Sequence, residues 1–362
     1  MEVLPFDPER PASGAQVITA DVVAALAPVA DVTVLHGCDL PEQAGTERVL
    51  GPSGVRALAA FPLDGSVWRS GHMTPRLVPE ARRALAAADL VIMVERVLDL
   101  PSDGTPRVVC LGGVGFPHSF DVIDSGAWDR LVVPSPTTRR AILRRSPDLR
   151  GVMVIENGVD PEMFAPGQPA PRRPSGARPR ARLLFPSRPV ASKGVLPALD
   201  LAAELLRSEV EVTVRWLAGP DALDSAQFAR VINARAGAVP IEPAPWRSRR
   251  DMPAVYRAAD LTICFSAAPE GFGLAAAESI ACGTPVLAWP SGFLAEMFPP
   301  GHGLYLVDPG AGAEGWAAPA LRALAEGAGE CYCLGRPYLR SRYGADRMAR
   351  GYRELVSDLL AE

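Results

Sequence analysis

Pro269-Glu270-Gly271-Phe272-Gly273-Leu274-Ala275-Ala276-Ala277-Glu278-Ser279-Ile280-Ala281-Cys282-Gly283-Thr284-Pro285-Val286 places two carboxylates around a glycine-bracketed turn. The apolar run at 261–265 before it reads as a buried strand, and 285–288 after it reads as another. Glu270 therefore sits in the loop at a strand's end, and Glu278 a turn or so into the helix that follows. Small residues at Gly271, Gly273 and Ala275 to Ala277 let a ligand approach the backbone closely. The amide groups at the helix start form an anion site that suits a phosphate. Glu278 suits a ribose, and Glu270, at the mouth, suits a sugar. A nucleotide sugar offers both polyols joined by a diphosphate.

Working outward, the next informative residue is Lys193. The chain has 37 Lys plus Arg, and Lys193 is its one lysine. It lies in Phe185-Pro186-Ser187-Arg188-Pro189-Val190-Ala191-Ser192-Lys193-Gly194, between an apolar strand at 182–185 and a helical stretch at 196–207. A lysine is a compact point charge for a phosphate, whereas an arginine is a planar fork. A merely solvated lysine is a poor explanation at a helix start, where the dipole disfavours positive charge.

A chain of 362 residues is long for one ordinary domain and suits two. At 48% apolar and 22% charged it can bury real cores. No apolar run is long enough for a membrane span and the N-terminus lacks a charged-then-apolar leader, so a cytoplasmic location is expected. The six cysteines contain no C-x-x-C pair, and Cys331-Tyr332-Cys333 has the wrong spacing for zinc. A net charge of −4 argues against a nucleic-acid partner. One stretch at 137–150 carries Arg139, Arg140, Arg144 and Arg145, and reads as a solvated helix face before a membrane contact. Oligomeric state is left open.

The first half alternates candidate strands (2–5, 31–35, 90–94, 107–111, 131–133, 152–155) with helices (17–27, 79–88, 137–145). Such alternation implies an α/β fold with parallel sheets. Residues 41–76, rich in Gly and Pro, read as an irregular insertion. Asn157-Gly158-Val159-Asp160-Pro161-Glu162-Met163-Phe164 reads as a turn with an apolar hook. The stretch 165–181, with five prolines and four arginines, reads as a linker. A second series follows, with strands at 182–185, 211–217, 239–241, 261–265, 285–288 and 303–307 and a last helix at 338–360. The expected organisation is one domain over 1–165, a linker at 166–181, a second domain over 182–335 and a C-terminal helical segment at 336–362.

The paired glutamates in their strand–turn–helix–strand context resemble the Glu-x7-Glu signature of retaining GT-B glycosyltransferases of the family-4 type. The resemblance is strong over 151–310 and only architectural over 1–150. It implies two facing Rossmann-like parallel-sheet domains with a cleft between them, and a last helix returning to the first domain. It implies an enzyme moving a sugar from a nucleoside-diphosphate sugar, bound mostly by the second domain, to a small-molecule or glycan acceptor held by the first. On the family's pattern Arg188 and Lys193 reach the diphosphate, and Gly271, Phe272, Gly273 and Leu274 line the donor. Glu270 then serves the sugar and Glu278 the ribose. Gly14, in Ser13-Gly14-Ala15, matches one of the two glycines many members carry in the first strand–helix loop. Where many members place a histidine after a first-domain strand, this chain has Leu111-Gly112-Gly113. Either His118, further on, fills that role or the role is vacant. Trp246, following Pro243, stands where the nucleobase packs, and reads equally as a stacking or a core aromatic. The chain has no Asp-x-Asp, so neither metal nor other cofactor is expected. Retention without a carboxylate nucleophile resembles the front-face mechanism, in which the departing phosphate helps take the acceptor proton. Against this stand a glycosidase-like acid/base pair, a nucleotide-sugar epimerase on the same fold, and a non-catalytic partner domain.

Overall fold

The computed structural model describes residues 6, 14–50, 53–63, 67–69, 72–100, 104–115, 117–167, 179–187, 189–218, 230, 232–235, 237, 239–245 and 247–361. They fall into two compact units: Met1–Gly158 with Ala345–Glu362, and Val159–Gly344.

In the first unit β1 (Thr33–Cys38), β2 (Glu47–Leu50) and β3 (Val55–Pro62) form a sheet in the order β1-β3-β2, parallel then antiparallel. A small sheet joins β4 (Val67–Arg69), β5 (His72–Thr74) and β7 (Val97–Leu98). The parallel sheet is β10-β9-β8-β6, built from β6 (Val91–Val94), β8 (Arg107–Cys110), β9 (Arg130–Val133) and β10 (Val152–Val154). One face of it buries Met93, Val109, Leu131 and Val133 with Leu58 and Phe61. The other buries Val108 and Cys110 against helix α1 (Gly14–Leu26) and the C-terminal segment.

Residues 41–76 are not an irregular insertion. They hold β2 to β5, and Ala57, Ala60 and Phe61 of β3 are fully buried. The β3 stretch Val55-Arg56-Ala57-Leu58-Ala59-Ala60-Phe61 is alanine-rich and buried on both faces, so it shows neither two-residue alternation nor β-forming composition. The candidate strand at 2–5 lies outside the described residues, as does most of the Pro/Arg-rich stretch.

The second unit is a single all-parallel sheet of β11 (Arg180–Phe185), β12 (Glu211–Ala218), β13 (Ile241–Pro245), β14 (Leu261–Cys264), β15 (Val286–Ala288) and β16 (Leu304–Leu306). Their order is β13-β12-β11-β14-β15-β16. Side chains alternate across it, so Leu183 and Phe185 face helix α5 (Val195–Arg207) with Ala198, Leu199 and Ala202. Leu184 points to the opposite core, with Tyr256, Ala276, Ala277 and Ile280. The chain fills one side of β11 and then the other, so the order reverses between β11 and β14. Open α/β sheets bind ligands at such a switch point, outside the strands' carboxyl ends.

Three boundaries differ from the sequence reading. The strand expected to end at residue 241 runs through Pro245. Its prolines signal a turn, but β13 is the edge of the sheet, where a missing N–H is tolerated. Residues 159–165 belong to the second unit because Phe164 is buried with Tyr256, their rings 6.3 Å apart. The last helical stretch is two helices, Arg336–Tyr343 in the second unit and Ala345–Ala361 in the first, interrupted where Gly344 takes an extended conformation. Among the described residues no helix is long and apolar enough to cross a membrane.

Candidate functional site

Loops from three neighbouring strands of the second unit meet at the carboxyl end of the switch point. After β11 the chain makes a short 3-10 turn at Ala191–Lys193 and enters α5 through Gly194, at φ 79°. A Cβ at Gly194 would drive into the carbonyl oxygen of Phe265, just past β14. This is a close backbone approach that only glycine permits. It is tied by the Ala267 amide, which donates to the Ser192 carbonyl at 3.0 Å.

The loop after β15 closes from the other side. Ser291 Oγ donates to the Ala268 carbonyl at 2.7 Å, as Ser266 Oγ does at 2.9 Å. The Phe293 amide donates to the Glu270 carbonyl at 2.9 Å. A Cβ at Gly292, at φ 57°, would meet the Glu270 backbone. Glu270 is thus fixed at its backbone by tertiary contacts, with its side chain still partly accessible.

Against this frame Lys193 Nζ donates to Glu270 Oε1 at 2.7 Å, with side chains 31% and 23% exposed. Sequence reading gave the two residues separate partners; the structure joins them. The pair also bears on Cys264 behind it: burial pushes that thiol up to about 12, with Glu270 adding to the rise and Lys193 opposing it.

Helix α7 (Leu274–Ala281) starts beside the pair; here α6 denotes Met252–Arg257. Its N-cap, Gly273, has φ 99°, and no side chain caps it. First-turn amides are consequently presented by backbone alone. Leu274 opens the helix and Gly271 is buried in the preceding turn. The Phe272 side chain is 2% exposed, stacked on Phe293 at 5.7 Å and edge-on to Tyr343 at 5.3 Å. It is a core anchor for the turn, and only its backbone can face a ligand.

Glu278 lies four residues past Leu274, and its Cα–Cβ bond tilts back toward the helix start. It is buried, and its Oε2 accepts from the Tyr256 hydroxyl at 2.9 Å. Its Oε1 is 3.9 Å from Arg249 Nη2, in the stretch after β13. Tyr256 and Arg249 went unsingled in the sequence. Their only signal there is membership of an arginine-rich turn and of the helix leading into β14.

His118 is in the first unit, in helix α3 (Pro117–Asp124). Burial lowers its pKa, Arg96 adds to that, and Asp121 opposes it, which favours the neutral imidazole near neutral pH. In the same unit, Glu95 follows β6 with φ 62°, and its Oε1 accepts the Gly112 amide at 2.6 Å, shaping the turn after β8. Gly14 is the first residue of α1 and exposed, with open space where a Cβ would go. His36 is a buried member of β1 whose Nδ1 meets the Gly37 carbonyl at 2.7 Å, a structural position. Arg188 and Trp246 lie outside the described residues.

Residues 171–329 match the family described as Glycosyl transferases group 1. D-inositol 3-phosphate glycosyltransferase from Kribbella flavida is 32% identical over 229 residues, covering 58% of this chain and 53% of the relative. The chain spans about half the length of the curated relatives it matches. Sucrose-phosphate synthase from Thermosynechococcus elongatus superposes with a TM-score of 0.75 at 18% identity, covering 99% of this chain and 98% of its own. Anabaena HepE, solved in complex with UDP-glucose, superposes with a TM-score of 0.72 at 17% identity, covering 99% and 100%. At these identities the likeness speaks to fold, and the fold is GT-B.

Proposed function

We propose that this chain, with a glycosyl transferases group 1 domain over residues 171–329, is a retaining glycosyltransferase that uses a nucleoside-diphosphate sugar and needs no metal ion. The observation that carries the reading is the Lys193–Glu270 pair, 2.7 Å apart at the switch point and beside an uncapped helix start. A cation and amide dipoles suit a leaving diphosphate, and a carboxylate held next to them suits the hydroxyls of its sugar.

In this mechanism the bond between the anomeric carbon and the diphosphate oxygen breaks as the acceptor oxygen bonds the same face of that carbon. The acceptor proton passes to a phosphate oxygen. Lys193, with Arg188, neutralises charge that grows on the diphosphate, and Gly273 and Leu274 contribute backbone amides. Glu270 orients the donor sugar, and His118, uncharged, is a hydrogen-bond partner for sugar or acceptor hydroxyls. Glu278 receives the ribose. An ionised carboxylate accepts several hydrogen bonds, so the one from Tyr256 is compatible with that role. The acceptor is a small molecule or glycan assigned to the first unit.

The test is a thermal-shift series with UDP, GDP, ADP, dTDP and NAD, followed by turnover with the matching nucleotide sugars in EDTA. At about 100 times its dissociation constant a nucleoside diphosphate stabilises the protein by about 2.7 kcal/mol, and NAD does not. Product formation persists in EDTA, with retained anomeric configuration read from NMR couplings. No shift with any nucleoside diphosphate, or an inverted product, overturns the reading.

A further inference from the structure

The buried surroundings of Glu278 go beyond what a ribose contact needs. The Tyr256 ring is 1% exposed, and its hydroxyl donates to Oε2 at 2.9 Å. Its own backbone is pinned, because Thr284 Oγ1 donates to the Tyr256 carbonyl at 2.8 Å. Helix α7 is pinned from the same side: Ser279 Oγ donates to the Thr284 carbonyl at 2.9 Å and lies 2.7 Å from Thr262 Oγ1. Arg249, 12% exposed, sits 3.9 Å from Oε1, with its guanidinium 5.9 Å from the centre of the Phe164 ring. Hydroxyl, carboxylate and guanidinium thus come from three separate elements, and Thr284 ties the helix of Tyr256 to the helix of Glu278.

Stability does not account for this arrangement. A buried carboxylate such as Glu278 loses hydration, and buried ion pairs are often no better than apolar residues of the same volume. What the arrangement does achieve is a carboxylate with one available orientation. A preorganised acceptor discriminates strongly between ligands that carry its hydroxyl partner and ligands that lack it.

We propose that Tyr256 and Arg249 are positioning residues that hold the Glu278 carboxylate in a single orientation, so that it selects ribose over 2′-deoxyribose in the bound nucleotide. The inference rests on the nucleotide-sugar reading and adds to it a source of specificity that does not touch the ligand. Deleting the Tyr256 hydroxyl frees the carboxylate to rotate. Affinity for the ribonucleotide then falls, while affinity for the 2′-deoxy form, which never used that contact fully, stays nearly constant. A purely structural tyrosine would weaken both equally.

Calorimetric titration of UDP, GDP and ADP and their 2′-deoxy counterparts into wild type, Tyr256→Phe, Arg249→Met and Arg249→Lys tests this. The nucleotide that wild type binds best is expected to show a ribose preference of about tenfold, as for one hydrogen bond to a charged group. Tyr256→Phe and Arg249→Met are expected to cut that preference at least threefold through the ribonucleotide alone, and Arg249→Lys to restore most of it. A wild-type preference retained in Tyr256→Phe overturns the inference while leaving the nucleotide-sugar reading intact. If Tyr256→Phe does not fold, the same preference retained in Arg249→Met overturns it. Failure of wild type to bind any of these diphosphates overturns the inference, and failure to bind dTDP as well overturns the nucleotide-sugar reading too.

Discussion

At the scale of single residues, the Lys193–Glu270 pair is a matter of position more than of stability. Both side chains are partly exposed, and exposed ion pairs contribute about 0–1 kcal/mol. Lys193→Ala is therefore expected to leave the melting temperature nearly unchanged. It should lower kcat by about 10²–10³, or about 2.7–4 kcal/mol, as for loss of one preorganised donor. Unchanged kcat in steady-state assays would remove Lys193 from the mechanism. The two glutamates should separate by function. Glu278→Ala is expected to weaken binding of the free nucleoside diphosphate in calorimetry, because its proposed partner is the ribose. Glu270→Ala is expected to leave that affinity alone and to reduce turnover, because its proposed partner is the sugar. The pairing of Lys193 with Glu270 was invisible in the sequence: the residues are 77 positions apart, and neither carries a local sign of the other.

At the scale of elements, the site depends on backbone contact between loops. Gly194 and Gly301 have nearly the same φ, 79° and 77°. A Cβ at Gly301 meets open space, whereas one at Gly194 meets the Phe265 carbonyl. Gly301→Ala should cost about 1–2 kcal/mol from the left-handed backbone alone. Gly194→Ala should cost clearly more in urea denaturation, because the loops after β11 and β14 must separate. Equal costs would mean that this approach is not tight in solution. Elements with a strong period were legible from the sequence: α5, and the strands β11, β12, β14 and β15, stand within a few residues of their expected places. Strand β3 was not legible, because its burial on both faces and its alanines erase the two-residue pattern.

At the scale of the whole molecule, the last helix, Ala345–Ala361, belongs to the first unit through Met348, Tyr352, Leu355 and Leu359, packed with Ile18, Val22 and Leu26. Tyr352→Ala removes a fully buried ring and should cost about 3–5 kcal/mol. Hydrogen exchange should then show lost protection in peptides of residues 14–158, with the second unit and its stabilisation by nucleotide retained. Stability should also depend on pH through histidines. Burial lowers the pKa of both His36 and His118. As pH falls the unfolded chain takes up these protons first, at about pH 6.5. Stability is then full above that value and declines on descending through it, until the folded-state values are reached. Urea midpoints between pH 7.5 and 5.5 should show the decline, and it should be shallower in His118→Gln. Equal slopes in the two proteins would show that His118 is not held neutral.

Local pattern was enough for the α/β class, for the strand–turn–helix that carries Glu270 and Glu278, and for the single lysine as a residue to explain. Each rests on information contained in a few consecutive residues: a buried period, a glycine where the backbone turns, a charge where a helix dipole disfavours it. Tertiary structure alone decided that Lys193 meets Glu270, that Phe272 turns into the core, that β13 runs on through its prolines, and that Tyr256 and Arg249 close on Glu278. These outcomes follow from the order of strands in the sheet and from which loops can approach without a Cβ between them. That order is set by packing among residues far apart in the chain, which a local period does not record.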